Sequence, residues 1–481
     1  MGIRSGDEYR DSLRDGRRVW MHGERVEDVT KHPAFQPMVD AIARMYDMQH
    51  EARYQEVMTF QLPSGERASR FYKLPETPED LAGIRAMTLA LLDEVGGVVD
   101  RFGSETATPL FVMYDRRPLL AKYDPRYVRS VEHWLQRCQA EDLFMTSGNT
   151  DPKGDRSKQP FEQDDPDLYL RVVSERDDGI LIRGAKYETG AAYAHVAFVK
   201  PTVGQWRPEN RDYAVACIVP LNSPGLKHIC RAPLLQTAQA FDRPLSSRFD
   251  EIDTLMVFED VLVPWDSVIF CRQPELASLI RHELHRWGAH AYLLRSLAKA
   301  DLLVGTACLL AEQNRSIASP AVKEQIAHLM VYREAVHAFI LASEAACERT
   351  ESGLVMPNQS IAYAGRLYTA LHYHEMVHVL RNLAGGSAVL IPDERTLRSP
   401  ETGPCLEKYY RVGATPAEDR LRVLNLAAEL TSTSFAGHKQ AYQLFAESPP
   451  ANQAMILYGA YDREASMRRA RRIVGLGEPA G

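Results

Sequence analysis

The sequence predicts an α+β protein with three domains: a helical domain, a β domain and a four-helix bundle. Two observations predict this order. The apolar residues recur at helical spacing up to about residue 142, form short β-type segments up to about residue 274, and then return to helical spacing. A chain of 481 residues is also too long for one hydrophobic core. We therefore expect a helical N-terminal domain over residues 1–142, a β-sandwich or barrel over 143–274, and a C-terminal four-helix bundle with a tail over 275–481.

The individual elements follow from local patterns. Helices are predicted over residues 81–99, which end in a Gly-Gly pair, and over 125–141. Strands rich in Val, Ile, Phe and Tyr, separated by Gly, Pro and Asp turns, are predicted at residues 168–173, 180–183, 194–200, 213–219 and 255–262. The four long helices of the bundle are predicted over residues 284–312, from 320, over 360–384 and from 416.

Composition excludes several classes of function. A net charge of −7 gives no general attraction to nucleic acid or to an anionic membrane. The N-terminal stretch has no apolar signal region, and no window of 18 uncharged apolar residues occurs. The seven cysteines are scattered, which does not support a metal site of the CxxC type or a disulfide framework. We expect a cytoplasmic protein with reduced thiols and no membrane or nucleic-acid partner.

Residues 141–162, EDLFMTSGNTDPKGDRSKQPFE, are rich in charge, glycine and proline. Proline removes a backbone donor and glycine carries an entropic cost, so a core strand or regular helix is disfavoured. The stretch is predicted to be a loop whose cations and backbone N–H groups suit an anionic ligand such as a pyrophosphate. On composition alone, a solvated turn between two domains remains the alternative.

A second motif, HEMVH at residues 374–378, places two histidines four residues apart on a predicted helix. This spacing suits zinc, with Glu375 as general base. A third ligand is required, and the proline residues that follow leave no second helix to supply one at a suitable distance. A zinc hydrolase therefore stays a minor alternative, and we expect no metal.

Three blocks resemble the 4-hydroxyphenylacetate 3-monooxygenases, the oxygenase halves of two-component enzymes that use reduced FAD. The blocks are residues 5–51, the DPKGDRSK segment at 151–158, and residues 384–412 together with 424–445. A further match, His290-x4-Arg295-x3-Lys299, opens the bundle. The order of the domains also resembles that of the acyl-CoA dehydrogenase-like flavoproteins. The resemblance covers nearly the whole chain.

The resemblance implies a homotetramer, a separate NAD(P)H-flavin reductase, and an FAD bound between the β domain and the bundle. It further implies that O2 reacts with the reduced flavin to give a C4a-hydroperoxide, which transfers one oxygen atom to an aromatic or heteroaromatic substrate. Carried over by position, the residues that would contact the flavin are Lys153, Gly154, Asp155, Arg156, Gln159, Pro160, Phe161, Glu162, Thr189, Ser434, Phe435, Ala436 and Gly437.

The substrate pocket departs from the family pattern. The family surrounds the substrate hydroxyl with an Arg and a Tyr four residues apart, and with a His just before the flavin loop. Alignment of the flanking residues places these at Ala107, Phe111 and Ser147. Losing a cation and two hydrogen-bond partners would cost a phenolate on the order of several kcal/mol. We therefore predict a substrate other than 4-hydroxyphenylacetate, with oxygenation at carbon or at an amine nitrogen.

Other polar residues are candidates to replace the missing groups. Ser147, Arg156 and His290 are assigned catalytic roles, and the substrate pocket is assigned Ala107, Phe111, Tyr114, Arg116 and His195. A flavin-fold dehydrogenase, a dehydratase and a non-catalytic scaffold are the remaining alternatives. The related dehydratases hold an iron–sulfur cluster with two cysteines four apart, a pattern that Ala107 and Phe111 cannot supply.

Overall fold

The computed structural model describes residues 2–102, 104–203, 206–235, 239–445 and 448–476. The N-terminal part is mainly helical. Its helices are α1 (Gly6–Ser12), α2 (Gln36–Met48), α3 (Gln55–Met58), α4 (Pro78–Glu94), α5 (Ser104–Asp115), α6 (Arg117–Tyr123) and α7 (Pro125–Glu141). Its strands are β1 (Val19–Met21), β2 (Glu24–Val26), β3 (Thr59–Gln61) and β4 (Arg67–Ser69). Helix α7 begins where the Asp124 carboxylate caps the first turn and Pro125 fixes the backbone.

The central part contains two β-sheets. Its strands are β5 (Met145–Gly148), β6 (Arg171–Glu175), β7 (Gly179–Thr189), β8 (Val196–Val199), β9 (Val215–Pro220), β10 (Leu226–Cys230), β11 (Asp253–Pro264) and β12 (Val268–Cys271). One sheet has the order β2-β1-β10-β11-β7-β6, and the other has the order β12-β9-β8-β5. The second sheet is buried along nearly its whole length, which explains its continuous apolar runs.

The sequence predicted a helical N-terminal domain, but this segment also contains short strands. Strands β1 and β2 turn at His22 and Gly23, both of which have positive φ, and β1 pairs in parallel with β10. Residues 19–26 thus complete the central sheet. A strand of three residues shows no measurable hydrophobic period, so sequence patterning could not identify it.

The C-terminal part is a helical bundle. Its helices are α8 (Pro274–Gln313), α9 (Pro320–Ala345), α10 (Gln359–Ala384), α11 (Glu394–Arg398), α12 (Gly403–Tyr410), α13 (Ala417–Thr431), α14 (Ser434–Phe445), α15 (Pro450–Ala460) and α16 (Arg463–Val474). A small hairpin, β13 (Glu348–Arg349) and β14 (Val355–Met356), follows α9. Helices α8, α9, α10 and α13 pack together as the predicted bundle. None of the described helices is long and apolar enough to cross a membrane.

A buried ion cluster joins the three parts. The Asp100 carboxylate accepts hydrogen bonds from Lys299 of α8 at 2.5 Å and from Lys439 of α14 at 3.0 Å. Lys439 also bonds to Glu251, which lies just before β11, and Glu251 accepts from the Asp100 backbone N–H at 2.9 Å. Asp100 is only 2% exposed. This cluster fixes the segment that leads into α5.

Candidate active site

A cavity of about 680 Å³ lies where the three parts of the chain meet. This volume lies within the range of about 300–1,000 Å³ that is typical of small-molecule sites. The walls come from Arg101 and α5, from the end of β5, from residues 149–160, from the segment after β8, from α8, and from the residues around Pro449. Of the residues predicted from the sequence, the cavity brings together Ser147, Lys153, Arg156, Gln159 and Pro160.

The conformation of the loop on one side of the cavity is set by contacts among its own residues and with Gln163 and Leu168. Gly154 has φ +54°, and a Cβ at this position would lie 2.7 Å from both Gln163 Oε1 and Leu168 Cδ2. The Asp155 carboxylate accepts from the backbone N–H and the hydroxyl of Ser157. Gln163 bonds to the N–H and the carbonyl of Asp155. Asp155 therefore holds the turn and leaves the neighbouring side chains to face the cavity.

The other predicted members of this loop also have structural roles. Glu162 accepts from the Gln159 backbone N–H at 2.8 Å and so caps the short turn that Pro160 begins. Gly154, Asp155, Phe161 and Glu162 do not line the cavity within the described part of the chain. Any contact of these four residues with a flavin stays a prediction.

Cationic side chains of the loop are available to a ligand. Arg156 and Lys153 are exposed and line the cavity. Among the described residues, neither cation has a side-chain hydrogen-bond or ion-pair partner. Lys158, in contrast, is paired with Asp164 at 2.5 Å. Two unpaired cations on one loop fit the diphosphate of FAD, because charge-assisted hydrogen bonds to phosphate are strong.

The α5 wall presents residues that sequence alignment misplaced. Arg101, Glu105 and Thr108 line the cavity, whereas Ala107 and Phe111 do not. Ala107 is fully buried, and Phe111 packs edge-on against Trp287 with 6.4 Å between ring centroids. The expected pocket positions are therefore wrong for Ala107 and Phe111. The helix turns by about 100° per residue, so a small alignment shift exchanges the cavity face for the core face.

Arg101 and Glu105 are four residues apart, which is the spacing of the family's Arg and Tyr. Arg101 donates to Glu105 Oε1 at 2.6 Å and to the Tyr442 hydroxyl at 2.6 Å. Arg295 approaches Glu105 at 3.4 Å, so the wall holds two guanidinium groups around one carboxylate. Arg101 and Glu105 thus present this spacing at the cavity, with a glutamate in the second position. Placing the family's arginine at Ala107 had predicted a pocket without this cation. In the structure, Arg101 supplies a cation to the cavity.

A buried carboxyl group lies behind this wall. Glu188 of β7 is 6% exposed, and its Oε1 lies 3.8 Å from Arg101 Nε. Burial raises the pKa of Glu188 to about 8, although Arg101 lowers it in part. At neutral pH Glu188 is therefore mainly protonated and adds little negative charge to the wall.

Ser147 lines the cavity as expected. It is 2% exposed, and within the described residues its hydroxyl makes no hydrogen bond. Strand β5 pairs in parallel with β8, with Ser147 opposite Phe198. This register places Lys200, the residue directly after β8, at the same end of the sheet, where its backbone N–H donates to the Gly148 carbonyl. Lys200 lines the cavity as well.

Tyr114 and Arg116 do not line the cavity within the described residues. The Arg117 guanidinium stacks over the Tyr114 ring at 3.5 Å. Arg116 forms an ion pair with Glu283 at 2.8 Å. Both side chains are engaged at the junction of α5 with α8, which corrects their assignment to the substrate pocket.

The two candidate histidines are also held by structural contacts. His195 accepts from the Phe144 backbone N–H at Nδ1 and donates from Nε2 to Ser12, while burial lowers its pKa well below the usual value. His290 is 5% exposed and its Nε2 lies 2.7 Å from Glu344 Oε1. Neither lines the cavity in the described structure. The positions of His195 and His290 do not fit the roles assigned from the sequence.

Thr189 and the start of α14 lie close together but outside the cavity wall. The Thr189 hydroxyl donates to Asp253 at 2.7 Å, and Asp253 also bonds to His438 at 2.9 Å. Helix α14 begins with the other predicted flavin residues, Ser434, Phe435, Ala436 and Gly437. Phe435 and Ala436 are buried in this chain. Flavin contacts at these residues stay a prediction.

The HEMVH motif lies on the outer face of α10. His374, Glu375 and His378 are all exposed, and Glu375 bonds to His372 at 2.7 Å. In the part of the chain that the structure describes, no group of three His, Cys, Asp or Glu side chains could hold a metal. The arrangement gives a zinc hydrolase no support.

Sequence analysis missed several cavity residues: Arg101, Glu105, Lys200, Arg281 and His285. Three signals could have identified some of them. Arg101 and Glu105 carry the spacing expected of the family's Arg and Tyr, and Arg281 and His285 are one helical turn apart on α8. Lys200 follows an apolar strand directly, where a lone cation is unusual.

Comparison with known proteins gives a consistent result. The N-terminal and C-terminal models of the 4-hydroxyphenylacetate 3-hydroxylase family match residues 5–270 and 280–475. The 4-hydroxyphenylacetate 3-monooxygenase oxygenase component of Thermus thermophilus is 30% identical, and the match covers 97% of this chain and 96% of that protein. The 4-hydroxybutyryl-CoA dehydratase/vinylacetyl-CoA-Δ-isomerase of Clostridium aminobutyricum is 27% identical, and the match covers 94% of this chain and 96% of that protein.

A solved structure agrees over the whole chain. The oxygenase component of a 4-hydroxyphenylacetate 3-monooxygenase, in complex with FAD and 4-hydroxyphenylacetate, has a TM-score of 0.92 and 29% identity. The match covers 98% of both chains. The predicted fold class and family are confirmed: the chain belongs to the 4-hydroxyphenylacetate 3-hydroxylase family.

Proposed function

We propose that this chain is the oxygenase component of a two-component, FADH2-dependent monooxygenase that acts on a small aromatic substrate with an ionisable hydroxyl group. Its class, a flavin-dependent monooxygenase that uses FAD, follows from its family. The observation that carries the finer proposal is the cavity itself. The 149–160 loop offers the unpaired cations Lys153 and Arg156, and the cavity is also lined by Arg101 and by the small hydroxyl of Ser147.

The residues around the cavity divide into two groups. Lys153 and Arg156, at the exposed loop, would hold the diphosphate of FAD. Bound reduced FAD supplies the chemistry that activates O2. Arg101 would orient the ionised hydroxyl of the substrate and stabilise its negative charge, and Ser147 would donate one hydrogen bond from the floor of the cavity. The negative charge of Glu105 partly offsets the positive charge of Arg101.

The substrate is proposed to differ from 4-hydroxyphenylacetate, because two of the three family side chains are replaced. Glu105 stands at the family's tyrosine position and Ser147 at its histidine position, while Arg101 matches the arginine. Oxygenation of an aromatic carbon is favoured over oxygenation of an amine nitrogen, since Arg101 retains a cation that an anionic oxygen requires.

Dehydration of a CoA ester is the second candidate, because one similar protein is a dehydratase. The sequence analysis expected an iron–sulfur cluster for that reaction, held by two cysteines four apart. The corrected positions carry Arg101 and Glu105, and none of the chain's seven cysteines lines the described cavity. The residues present do not fit such a cluster.

An oxygenase assay tests the proposed function. The purified protein is combined with an NAD(P)H-flavin reductase, FAD and a panel of phenols, and products are identified by mass spectrometry. We expect one added oxygen atom per NADH consumed with at least one phenol, and slow or no catechol formation from 4-hydroxyphenylacetate. No oxygenated product from any phenol would contradict the function, and fast catechol formation from 4-hydroxyphenylacetate would contradict the substrate prediction alone.

We propose that the chain forms a homotetramer, because its C-terminal end exposes many large apolar side chains. Val389 and Leu390 are 83% and 68% exposed, and Ile473 and Val474 are 78% and 67% exposed. Helix α16 buries none of its own side chains. Exposed apolar groups of this size are typical of contact surfaces between proteins.

Analytical ultracentrifugation tests the assembly with one variant on this surface and one elsewhere. The double variant Ile473→Glu/Val474→Glu is expected to sediment as a species smaller than a tetramer. Ile229→Glu, on the exposed face of β10, serves as the matched control and is expected to sediment as wild type. A monomeric wild-type protein would exclude the assembly.

A cytoplasmic location is also proposed, on the basis of the cysteines. Cys138, Cys217, Cys230 and Cys271 are buried and unpaired. Free buried thiols are typical of reducing compartments. Fractionation of the producing cells tests this location, and recovery of the protein outside the cytoplasmic fraction would contradict it.

A further inference from the structure

Tyr442 of α14 contacts Arg101 but does not line the cavity in the described part of the chain. The Arg101 Nε–H donates to the Tyr442 hydroxyl at 2.6 Å, and the guanidinium carbon lies 5.9 Å from the centre of the Tyr442 ring. A guanidinium group cannot accept a hydrogen bond, so the hydroxyl oxygen is the acceptor. Tyr442 therefore lies behind the cavity wall and acts on the cavity through Arg101.

Two nitrogens of the Arg101 guanidinium are held by different segments of the chain. Nε bonds to Tyr442 of α14, and Nη1 bonds to Glu105 of α5 at 2.6 Å. The guanidinium group is planar and rigid, so contacts at two of its nitrogens fix the direction of the third. A single contact would not do so, because the group can turn about one hydrogen bond. The Tyr442 hydroxyl thus completes the orientation of Arg101 relative to the cavity.

The Tyr442 hydroxyl orients the guanidinium without neutralising its charge. Burial raises the pKa of Tyr442 well above its ordinary value, although Arg101 lowers it in part, so the hydroxyl is neutral at physiological pH. Glu188 offers a second acceptor, since its Oε1 lies 3.8 Å from Arg101 Nε. Without the Tyr442 hydroxyl, the Nε edge of Arg101 would turn toward Glu188, which lies behind the wall.

Tyr442 is itself held in place by buried groups of the bundle. Lys439, one turn earlier on α14, lies 5.7 Å from the centre of the Tyr442 ring. Lys439 is 5% exposed and bonds to the Asp100 carboxylate at 3.0 Å. Tyr292 of α8 donates to the carbonyl of Gln443, the residue after Tyr442, at 3.0 Å. The position of the Tyr442 hydroxyl is therefore set by the packing of α14 against the rest of the bundle.

We propose that Tyr442 is a positioning residue that holds the Arg101 guanidinium toward the ionised hydroxyl group of the substrate. This inference rests on the proposed function, in which Arg101 contacts that hydroxyl group. Tyr442 contributes direction and not charge. Its loss is therefore expected to weaken the binding of an ionised ligand and to leave the binding of a neutral ligand of similar shape unchanged. A hydroxyl that only stabilised the fold would affect both ligands equally.

Calorimetry of the FAD-loaded protein measures this difference without turnover. The probes are 4-nitrophenol, at a pH where its hydroxyl group is ionised, and its neutral methyl ether, 4-nitroanisole. In the wild type we expect the ionised phenol to bind about 10–100-fold more tightly than the ether, as for a charge-assisted hydrogen bond. In Tyr442→Phe, which keeps the ring, this ratio should fall about 3–10-fold, while the Kd values of the ether and of FAD stay within about twofold of wild type.

A double-mutant cycle shows whether Tyr442 acts through Arg101. Arg101→Met is expected to reduce the ratio to about one, because the cation is lost, and adding Tyr442→Phe to this variant should change the ratio no further. Tyr9→Phe is the matched control, since it removes a buried hydroxyl that donates to the Tyr193 carbonyl at 2.7 Å. This control is expected to keep the wild-type ratio even if its thermal stability falls.

Three results would overturn the proposal. The first is equal binding of phenol and ether by the wild type, including no binding of either, which would also contradict the assignment of Arg101. The second is a wild-type ratio in Tyr442→Phe while Arg101→Met loses it. The third is an effect of Tyr442→Phe that persists undiminished in the Arg101→Met background. A protein that shows the expected ratios but forms no product in the oxygenase assay would contradict the proposed function alone.

Discussion

Replacing Arg101 with methionine is expected to lower kcat/KM for the preferred phenol by about tenfold to a few hundredfold, which corresponds to one charge-assisted hydrogen bond of about 1.5–3 kcal/mol. Arg101 is a cation that lines the cavity on the α5 side, 2.6 Å from Glu105 and 3.8 Å from Glu188. Without the Arg101 guanidinium, an ionised substrate would face the negatively charged Glu105 carboxylate. Steady-state kinetics with a saturating supply of reduced flavin measure the effect.

The matched variant is Arg156→Ala, on the 149–160 loop of the same cavity. Arg156 has no described partner, so its loss should leave the fold intact and weaken FAD binding by about tenfold or more, with a smaller effect on the substrate. FAD binding by Arg101→Met should stay within about threefold of wild type. If Arg101→Met lost FAD affinity and kept its kcat/KM at saturating flavin, the assignment of Arg101 to the substrate would be wrong.

Replacing Asp100 with asparagine is expected to destabilise the protein by about 3–5 kcal/mol, because Lys299 would remain buried without a carboxylate and Lys439 would keep only Glu251. Lys299 and Lys439 both bond to Asp100, and all three residues are nearly inaccessible to solvent. Equilibrium unfolding in urea at fixed protein concentration measures the change. Asp11→Asn is the control, since Asp11 is 72% exposed and its ion pair with Arg14 should contribute less than about 1 kcal/mol.

The pH dependence of this effect has a definite sign. Burial by itself would raise the pKa of Asp100, but Lys299, Lys439 and Arg295 outweigh burial and hold the pKa well below its ordinary value. A depressed carboxyl pKa stabilises the fold above the unfolded pKa of about 4, and this contribution is lost only as the pH falls below that value. The difference between Asp100→Asn and wild type should therefore be constant from pH 6 to 8. A difference that vanished within this range would show that Asp100 is not ionised in the fold.

The sequence predicted well those features that depend on local patterns or on continuous motifs. Helix α7 begins and ends at the predicted residues, 125 and 141, because Asp124 and Pro125 form a local start signal. The 151–158 segment was predicted to bind an anion from its cations and glycine, and it lines the cavity with two unpaired cations. The three blocks of resemblance identified the family without knowledge of any contact.

Sequence analysis was least reliable where the role of a side chain depends on whether it points into the cavity or into the core. Positions 107 and 108 are neighbours in the chain, yet Thr108 lines the cavity and Ala107 is buried in the core. His195 and His290 were candidates for catalysis because histidine is a common catalytic residue, but each is held by a specific structural partner. Such partners come from distant segments and leave no trace in local spacing.

The sequence by itself determined the family, the order of the domains and the loop that lines the cavity, because these depend on short motifs and on hydrophobic period. Only the tertiary structure decided which groups surround the cavity. Arg101 and Lys200 are far apart in the chain and reach one cavity through the packing of α5 against the sheet and the parallel register of β5 with β8. The pKa of Lys200 and the neutrality of Glu188 are set by the sum of burial and charges in three dimensions.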